Sequence, residues 1–526
     1  MTTGLLLLTT ALKILFILLV TVGAFAPMLV WAERRQSAMM QDRIGPHRAG
    51  IMLPRGTAEM LGATVAPMRF GALAAGALGA VVLFVFACAW AIDDPELVPG
   101  VSVLQLVQMG VGLLVLGGIL DVGAKIHGML AANGGNISLA GLLHPLADAL
   151  KFIFKEDFIP PKADKLLHSL APIVTLMPAI AVFAVIPFSD VLYLEHWDAV
   201  VPRNGVVDGE ATAIPLQVAN LNVGVLFLFA IAGTGIIGAA IGGYASDNKY
   251  SLIGGIRAAS QMVSYEVALG LTIVPCIMIY DSLRLEAMAT WQHDNGVWGV
   301  CVLPVTIAFV LFFTAAIAET KRIPFDLPEG ESELVGGYLT EYSGMKFGMF
   351  FMSEFIEVVG LAAVAAVVFF GGWDLPFVYR DGIDLPGVWD AQLASFVMGV
   401  QYSPDTPGID ATGIALAHWG ILALGVAGFL AKIVALIWFQ LLTRWSLPRF
   451  RYDQMMMLCW KGLLPAALIN ILFTGVIVLL GEPAMKFAVW SGTIVVVGSL
   501  VFFFLPALKR DTRGAAPASP ASPVAH

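Results

Sequence analysis

Long apolar runs separated by short polar joints dominate the chain. Eleven runs approach or exceed the roughly 20 residues that a helix needs to cross a bilayer. They lie at about 5–31, 70–92, 101–120, 168–188, 222–243, 258–281, 297–319, 346–371, 412–441, 463–482 and 485–507. Each predicts a transmembrane helix, and together they predict an all-α polytopic membrane protein of about 11 spans. Lys and Arg set the orientation, because basic residues stay on the cytoplasmic side. Arg203, Arg284, Arg380 and Lys486 fall on one side, Lys13 and Lys432 fall within spans, and the other basic residues fall on the opposite side. That asymmetry predicts an outer N-terminus and a cytoplasmic C-terminus. The first run shows no cleavage site and leads straight into a charged motif, so it is expected to be a retained helix.

One polar joint departs from this pattern. Between Glu319 and Glu357 stand Glu319, Asp326, Glu329, Glu331, Glu333, Glu341, Glu354 and Glu357, offset only by Lys321, Arg322 and Lys346. Carboxylates beside a bilayer are costly unless they face protein or water, and such residues point to a proton or ion path. A solvated loop that starts a helix is the simpler reading, with Asp326, Pro328 and Glu329 forming a capping pattern. Capping leaves Glu341, Glu354 and Glu357 unexplained.

Three further joints carry charge. Residues 32–50 hold Glu33, Arg34, Arg35, Asp42, Arg43 and Arg48 around a Gly45-Pro46 corner. A positive-inside anchor explains the arginines and leaves the acids without a reason. In residues 144–155, Asp148, Lys151 and Lys155 recur at helical spacing against Leu146, Leu150, Phe152 and Phe154, which predicts an amphipathic helix lying at the interface. The joint at 244–257 leads to Glu266, placed a turn or two into the next span. Arg257 and Glu266 are nine residues apart and fall on opposite faces, so they should not pair. Glu266 is either a structural hydrogen-bonding group or a proton carrier. The joint at 444–461 carries Arg449, Arg451, Tyr452, Asp453 and Gln454.

Composition agrees with a membrane protein: of 526 residues, 58% are apolar and 13% charged, with a mean hydropathy of +0.84, against about 25% charged in soluble domains. The formal charge of −9 comes with no basic, aromatic-interleaved patch, so nucleic acid is not an expected partner. Cys88, Cys276, Cys301 and Cys459 are isolated, and no CxxC or HExxH spacing occurs, so no metal or iron–sulfur site of this chain's own is expected. Neither GxGxxG after a strand nor GxxxxGK[ST] is present, so the chain is not expected to bind NADH or ATP.

The run ETKRIPFDLPEGESELVGGYLTEYSGMKF resembles the signature of the H-subunit family of respiratory complex I, the NADH:quinone oxidoreductase. QDRIGPHR, HPLADALKFIFKED, the SYE around Glu266 and RYDQ resemble further family elements, with His47 where the family has Asn. The resemblance implies an eight-helix core. It divides the chain into a first helix with a quinone-entrance loop (1–55), an inserted transmembrane hairpin (56–140), core helices (141–484), an extra C-terminal helix (485–507) and a disordered tail (508–526). Asp121, Lys125 and His127 of the insert read as a solvated juxtamembrane end. The resemblance further implies a non-autonomous subunit of a proton-pumping enzyme of the bacterial inner membrane. A quinone chamber would be bordered by Glu33, Arg34, Arg35, Asp42, Arg43, Arg48, Asp148, Lys151, Lys155 and Phe325. A proton-coupling funnel would be formed by Glu266, Glu319, Asp326, Glu329, Glu331, Glu333 and Glu341. Quinone is the implied substrate. FMN and iron–sulfur clusters are implied in partner subunits, which would be the hydrophilic quinone-site subunits and the membrane-arm subunits. Related subunits serve membrane-bound hydrogenases and F420H2 dehydrogenases, which keep the fold and change the chemistry. An independent ion transporter is the reading from another class, disfavoured because no paired internal repeat is visible.

Overall fold

In a computed structural model of the chain, residues 3–43, 45–46, 51–52, 67, 69, 121, 136–137, 141, 144–196, 201, 212–375, 378–380, 382–384, 413–415 and 417–511 are described. The expected spans at 70–92 and 101–120, with Asp121 apart, lie outside those residues. The other nine are helices.

The chain begins with α1 (Thr3–Leu18), which runs through a π-helical segment (Leu19–Phe25) into α2 (Ala26–Met40). Strands β1 (Ile51–Met52) and β2 (Asn136–Ile137) pair antiparallel, Ile51 opposite Ile137, and so bring the two ends of the 56–140 segment together. Helix α3 (His144–Phe154) is amphipathic, with Leu146, Leu150, Ile153 and Phe154 exposed. Helix α4 (Lys165–Ala181) starts at Asp164, whose carboxylate accepts from the amides of Leu166 and Leu167 at 3.0 and 3.2 Å. These bonds satisfy two of the amides that a helix start leaves free.

Helices α5 (Gly224–Ala245) and α6 (Lys249–Tyr280) form a tight hairpin. Gly243 and Gly255 face each other, and a Cβ on Gly243 would stand 2.6 Å from the Ser251 carbonyl oxygen and 2.9 Å from the Gly255 Cα. Small residues allow this close approach, which drives helix association where lipid supplies no hydrophobic force. The short α7 (Leu285–Asn295) precedes α8 (Leu303–Glu319), and a four-residue α9 (Glu331–Leu334) lies before α10 (Gly344–Phe370). Then come α11 (His418–Ser446), α12 (Tyr452–Met457), a π-helical turn (Leu458–Leu463), α13 (Leu464–Leu480) and α14 (Glu482–Asp511). Small strand pairs, β3 (Leu192–Tyr193) with β4 (Ala213–Ile214) and β5–β7 (Val378–Tyr379, Gly382–Asp384, Gly413–Ala415), sit in the loops of one face.

Among the described residues, seven helical segments are long and apolar enough to cross a membrane, and Leu303–Glu319 is a shorter eighth. The protein is an all-α polytopic membrane protein. Helix α10 is its centre: 83% of its apolar stretch is buried, against 28% for that of Tyr452–Leu480. Outer helices instead expose Leu472, Leu479, Phe487 and Trp490, as lipid-facing surfaces do.

Four expectations are corrected. Helix α6 begins at Lys249, capped by the Asn248 side chain on the Tyr250 amide at 3.0 Å. Glu266 is therefore about five turns into the helix and not one or two. The stretch 244–257 reads as a loop because Gly254, Gly255 and Ser251 are poor helix formers, and packing against α5 overrides that. The joint at 444–461 is mostly helical, since α11 runs to Ser446 and α12 starts at Tyr452, where Gln454 Oε1 accepts from the Arg451 amide at 3.1 Å. Asp326 caps nothing: the next helix begins after Gly330, with no side-chain cap. Finally, α14 runs to Asp511, into the expected tail.

Candidate functional site

The polar stretch between α8 and α10 cannot form a regular helix. Pro328 and positive φ at Lys321, Gly330, Val335, Gly336 and Gly337 fold it back on itself, and its Ile323-Pro324 bond is cis. Glycine is required at 337, where a Cβ would sit 1.7 Å from the Pro328 carbonyl oxygen. The reversal is pinned from α6. Gln261 donates through Nε2 to the carbonyls of Ala318 and Phe325, at 2.7 and 2.9 Å, and so clamps both ends of the turn. The Gly254 backbone lies against the Tyr338 amide. Phe325 is buried, stacked on Phe450 with centroids 5.3 Å apart.

Folding the chain this way turns its charges inward. Glu33 of α2 accepts from Arg322 Nη1 at 3.2 Å and pairs with Arg444 Nη1 at 2.8 Å. Glu354 of α10 accepts the Tyr338 hydroxyl at 2.8 Å, with Lys321 Nζ at 3.9 Å and Arg322 Nη2 at 4.0 Å. One turn further along α10, Glu357 stands 4.0 Å from the same Lys321 Nζ. Glu319 lies in the field of Glu266, Glu357 and Lys321. Glu319 and Glu357 also line a cavity of about 40 Å³ whose other walls are apolar, among them Met262, Leu228 and Ala179. That is room for a few water molecules between two carboxylates. The Glu266 carboxylate packs on α5 at Gly233, where a Cβ would stand 2.6 Å from its Oε1.

The other end of this array opens on a second cavity of about 470 Å³, lined by Lys151, Phe152, Lys155, Glu329, Tyr342 and Phe351 among others. Burial raises the Glu329 carboxyl well above its usual range, the Glu354 and Asp326 carboxylates add to that, and Arg322 and Lys321 oppose it. Burial likewise raises Asp326, to about 6, against the lowering pull of Arg449. Its Oδ1 is buried without a hydrogen bond, while its carbonyl accepts from Arg449.

The remaining expected residues are placed apart from this array. Arg34 pairs with Asp148 at 2.6 Å in a partly exposed bridge between α2 and α3. Arg35 approaches Gly45, Asp42 takes a left-handed turn conformation, and the Arg43 amide closes the turn onto the Ala38 carbonyl at 2.7 Å. Arg48 lies outside the described residues. Glu333 is half-exposed, bound to Arg257 at 2.8 Å, so Arg257 and Glu266 do not form a pair with each other. Glu341 accepts from Asn248 Nδ2 at 2.7 Å and steadies the α5–α6 turn. Glu331 opens α9, and its side chain lies outside the described residues.

The array also contains residues that sequence reasoning left out of the site: Lys321, Arg322, Tyr338, Glu354, Glu357 and Arg444. A usable signal was present for two of them, since Glu354 and Glu357 are three residues apart in an apolar helix and so share a face.

Asp326 gives a prediction with a definite sign. Its folded pKa of about 6 lies above the ordinary 3.8. Its contribution to stability is full below pH 3.8 and is lost as pH rises through about 6. In the native protein it exchanges a proton around pH 6. In Asp326→Asn, thermal stability should fall less than in the wild-type protein as pH rises through about 6, measured by thermal melts at a series of pH values.

The family described as NADH dehydrogenase matches residues 103–475, a match that begins inside the 56–140 segment. An H-type subunit of NADH-quinone oxidoreductase from Geobacter metallireducens is 42% identical over 340 residues, covering 65% of this chain and 84% of the relative. Its counterpart from Cytophaga hutchinsonii is 39% identical, with 65% and 84% covered. The counterpart from Syntrophotalea carbinolica is 36% identical over 381 residues, covering 71% of this chain and 95% of the relative. The chain belongs to the NADH dehydrogenase family, as an H-type subunit of the respiratory NADH:quinone oxidoreductase, complex I.

Proposed function

We propose that this subunit forms the access chamber for quinone and carries the charge displacement that couples quinone reduction to proton translocation. The observation that supports this most directly is the continuity of the titratable array. It starts at Glu329 on the wall of the 470 Å³ cavity and passes Asp326 and Glu354. It then continues through Lys321 and Glu357 to Glu319 and Glu266 inside the helix bundle. A carboxyl held near neutrality by burial takes up a proton when a nearby negative charge appears, as it does on quinone reduction. Lys151 and Lys155 put positive charge on the chamber wall, which favours a reduced, anionic quinone there.

In this reading the chain contributes no redox centre. Electrons reach quinone from iron–sulfur clusters and FMN held by partner subunits, the head-group site is shared with hydrophilic subunits, and the charge change passes to membrane-arm subunits. The distribution of basic residues supports an outer N-terminus and a cytoplasmic C-terminus, and the reading sets the subunit in a bacterial inner membrane.

The test compares Glu319→Gln and Glu329→Gln with Asp384→Asn, which lies in the loops of the opposite face. The two Gln variants should lose roughly tenfold or more of NADH:quinone turnover per assembled complex, because each removes a proton site and its field. Asp384→Asn should stay within about twofold of wild type, since its strand belongs to a loop sheet apart from the titratable array. Equal, mild losses in all three would reduce the array to a structural feature.

A further inference from the structure

Lys321 is fully buried, yet its ammonium makes no hydrogen bond. It stands at nearly equal distances from two carboxylates one helical turn apart, 3.9 Å from Glu354 and 4.0 Å from Glu357. Both distances exceed a charge-assisted hydrogen bond by about 1 Å. The backbone at Lys321 adopts a left-handed conformation, φ 54°, that non-glycine residues rarely take, and this turns the side chain inward. The Tyr338 ring lies 5.7 Å beneath the ammonium. The other charges acting on it are Glu319 and Glu329, with Arg322 next in the chain.

The two carboxylates differ in what else they hold. Glu354 keeps the Tyr338 hydroxyl and lies near Arg322, toward the chamber end. Glu357 faces the small cavity it shares with Glu319, and its Oε2 makes no hydrogen bond. Each carboxylate can therefore form a direct pair with the lysine only if the ammonium leaves the midpoint. A flexible four-carbon stem permits a shift of about 1 Å, which a rigid guanidinium fork would resist.

We infer that Lys321 is a two-position cation that divides the carboxylate array, pairing with Glu354 in one state and with Glu357 in the other. Arrival at Glu357 favours its ionised form. The O–H bond on Glu357 breaks, and the proton passes through the cavity to the Glu319 carboxylate, where a new O–H bond forms. Return of the ammonium to Glu354 reverses the transfer. The chamber end and the bundle end thus exchange charge through one moving group and not through direct contact, which is the bistable element that coupling requires. This inference rests on the proton-coupling reading given above.

The test uses the whole complex in native membranes, with Lys321→Met and the double variant Lys321→Met/Glu357→Gln. The double variant replaces a buried ion pair by neutral groups, an exchange that is often close to neutral for folding. It should therefore assemble, and it is read by the protons moved for each electron that still reaches quinone. Protons moved per electron, from vesicle acidification against NADH oxidation, should fall roughly tenfold or more, because no mobile charge remains. Lys321→Met alone should lose both proton movement and much of its quinone turnover. A double variant that pumps at the wild-type ratio would show that Lys321 only neutralises Glu357 and would overturn the inference. Failure of the double variant to assemble would overturn it too, by marking the pair as a structural clamp. Wild-type vesicles that reduce quinone without moving protons would instead sink the coupling reading underneath.

Discussion

Replacing Glu354 by Gln is expected to lower NADH:quinone turnover at least roughly tenfold while leaving the complex assembled. Glu354 is 3% exposed and lies within reach of two cations, Lys321 at 3.9 Å and Arg322 at 4.0 Å. Glutamine keeps the volume and can still accept the Tyr338 hydroxyl through its carbonyl oxygen. The packing of Tyr338 against Phe350, 5.5 Å between centroids, is then undisturbed. The variant loses the negative charge between the chamber and the bundle. Its cations keep Glu357 and Glu33, so neither is left wholly unpaired. Glu354→Ala should behave worse, because it leaves the Tyr338 hydroxyl buried without an acceptor and opens a void. The measurement is NADH:quinone turnover in membranes, divided by the NADH-to-artificial-acceptor rate that counts assembled complex. Full turnover in Glu354→Gln would confine Glu354 to a structural hydrogen bond.

The fold was largely legible in the sequence, for a physical reason. A bilayer demands about 20 apolar residues per helix whatever the tertiary packing, so the spans are written locally. Where the reading slipped, tertiary contacts had overridden local preference. Residues 249–257 look like a polar, glycine-bearing loop, but Gly255 is there to meet Gly243 across the hairpin. The site was legible as a concentration of acids and not as an arrangement. Glu333, inside the most conspicuous acidic run, ends up half-exposed on Arg257, in a bridge of the kind worth about 1 kcal/mol or less. Glu354 and Glu357, farther along and within an apolar helix, end up at the centre. The difference is decided by the chain reversal at Lys321–Gly337 and by the phase of α10, and neither can be read from spacing alone. Arg444 was legible only as a positive-inside anchor, because its partner Glu33 lies on the first helix.

That partnership carries the second large expected effect, this time on assembly. Glu33 joins three parts of the chain: α2, which holds it, the reversal after α8 through Arg322, and the end of α11 through Arg444. Its side chain is 12% exposed, with Arg322 at 16% and Arg444 at 22%. Removing one member of a buried ionic group leaves uncompensated charge and costs about 3–5 kcal/mol. Glu33→Gln therefore strips the shared counter-charge from two arginines at once, and the amide can accept from only one of them without presenting its own NH2 group to the other. Arg322 also lies 4.1 Å from the centroid of the Phe355 ring, so its position is fixed by α10 and it cannot swing out to solvent. The expected result is a fall of roughly tenfold or more in assembled complex on native gels, with a lower temperature of thermal inactivation for what remains. Glu33→Asp, which keeps the charge on a shorter arm, should recover part of the loss. Arg34→Gln breaks only the exposed bridge to Asp148 and should cost about 1 kcal/mol or less. Were Glu33→Gln to assemble as well as Arg34→Gln, the three-way contact would be incidental, and α2 would be held to the bundle by its apolar face alone.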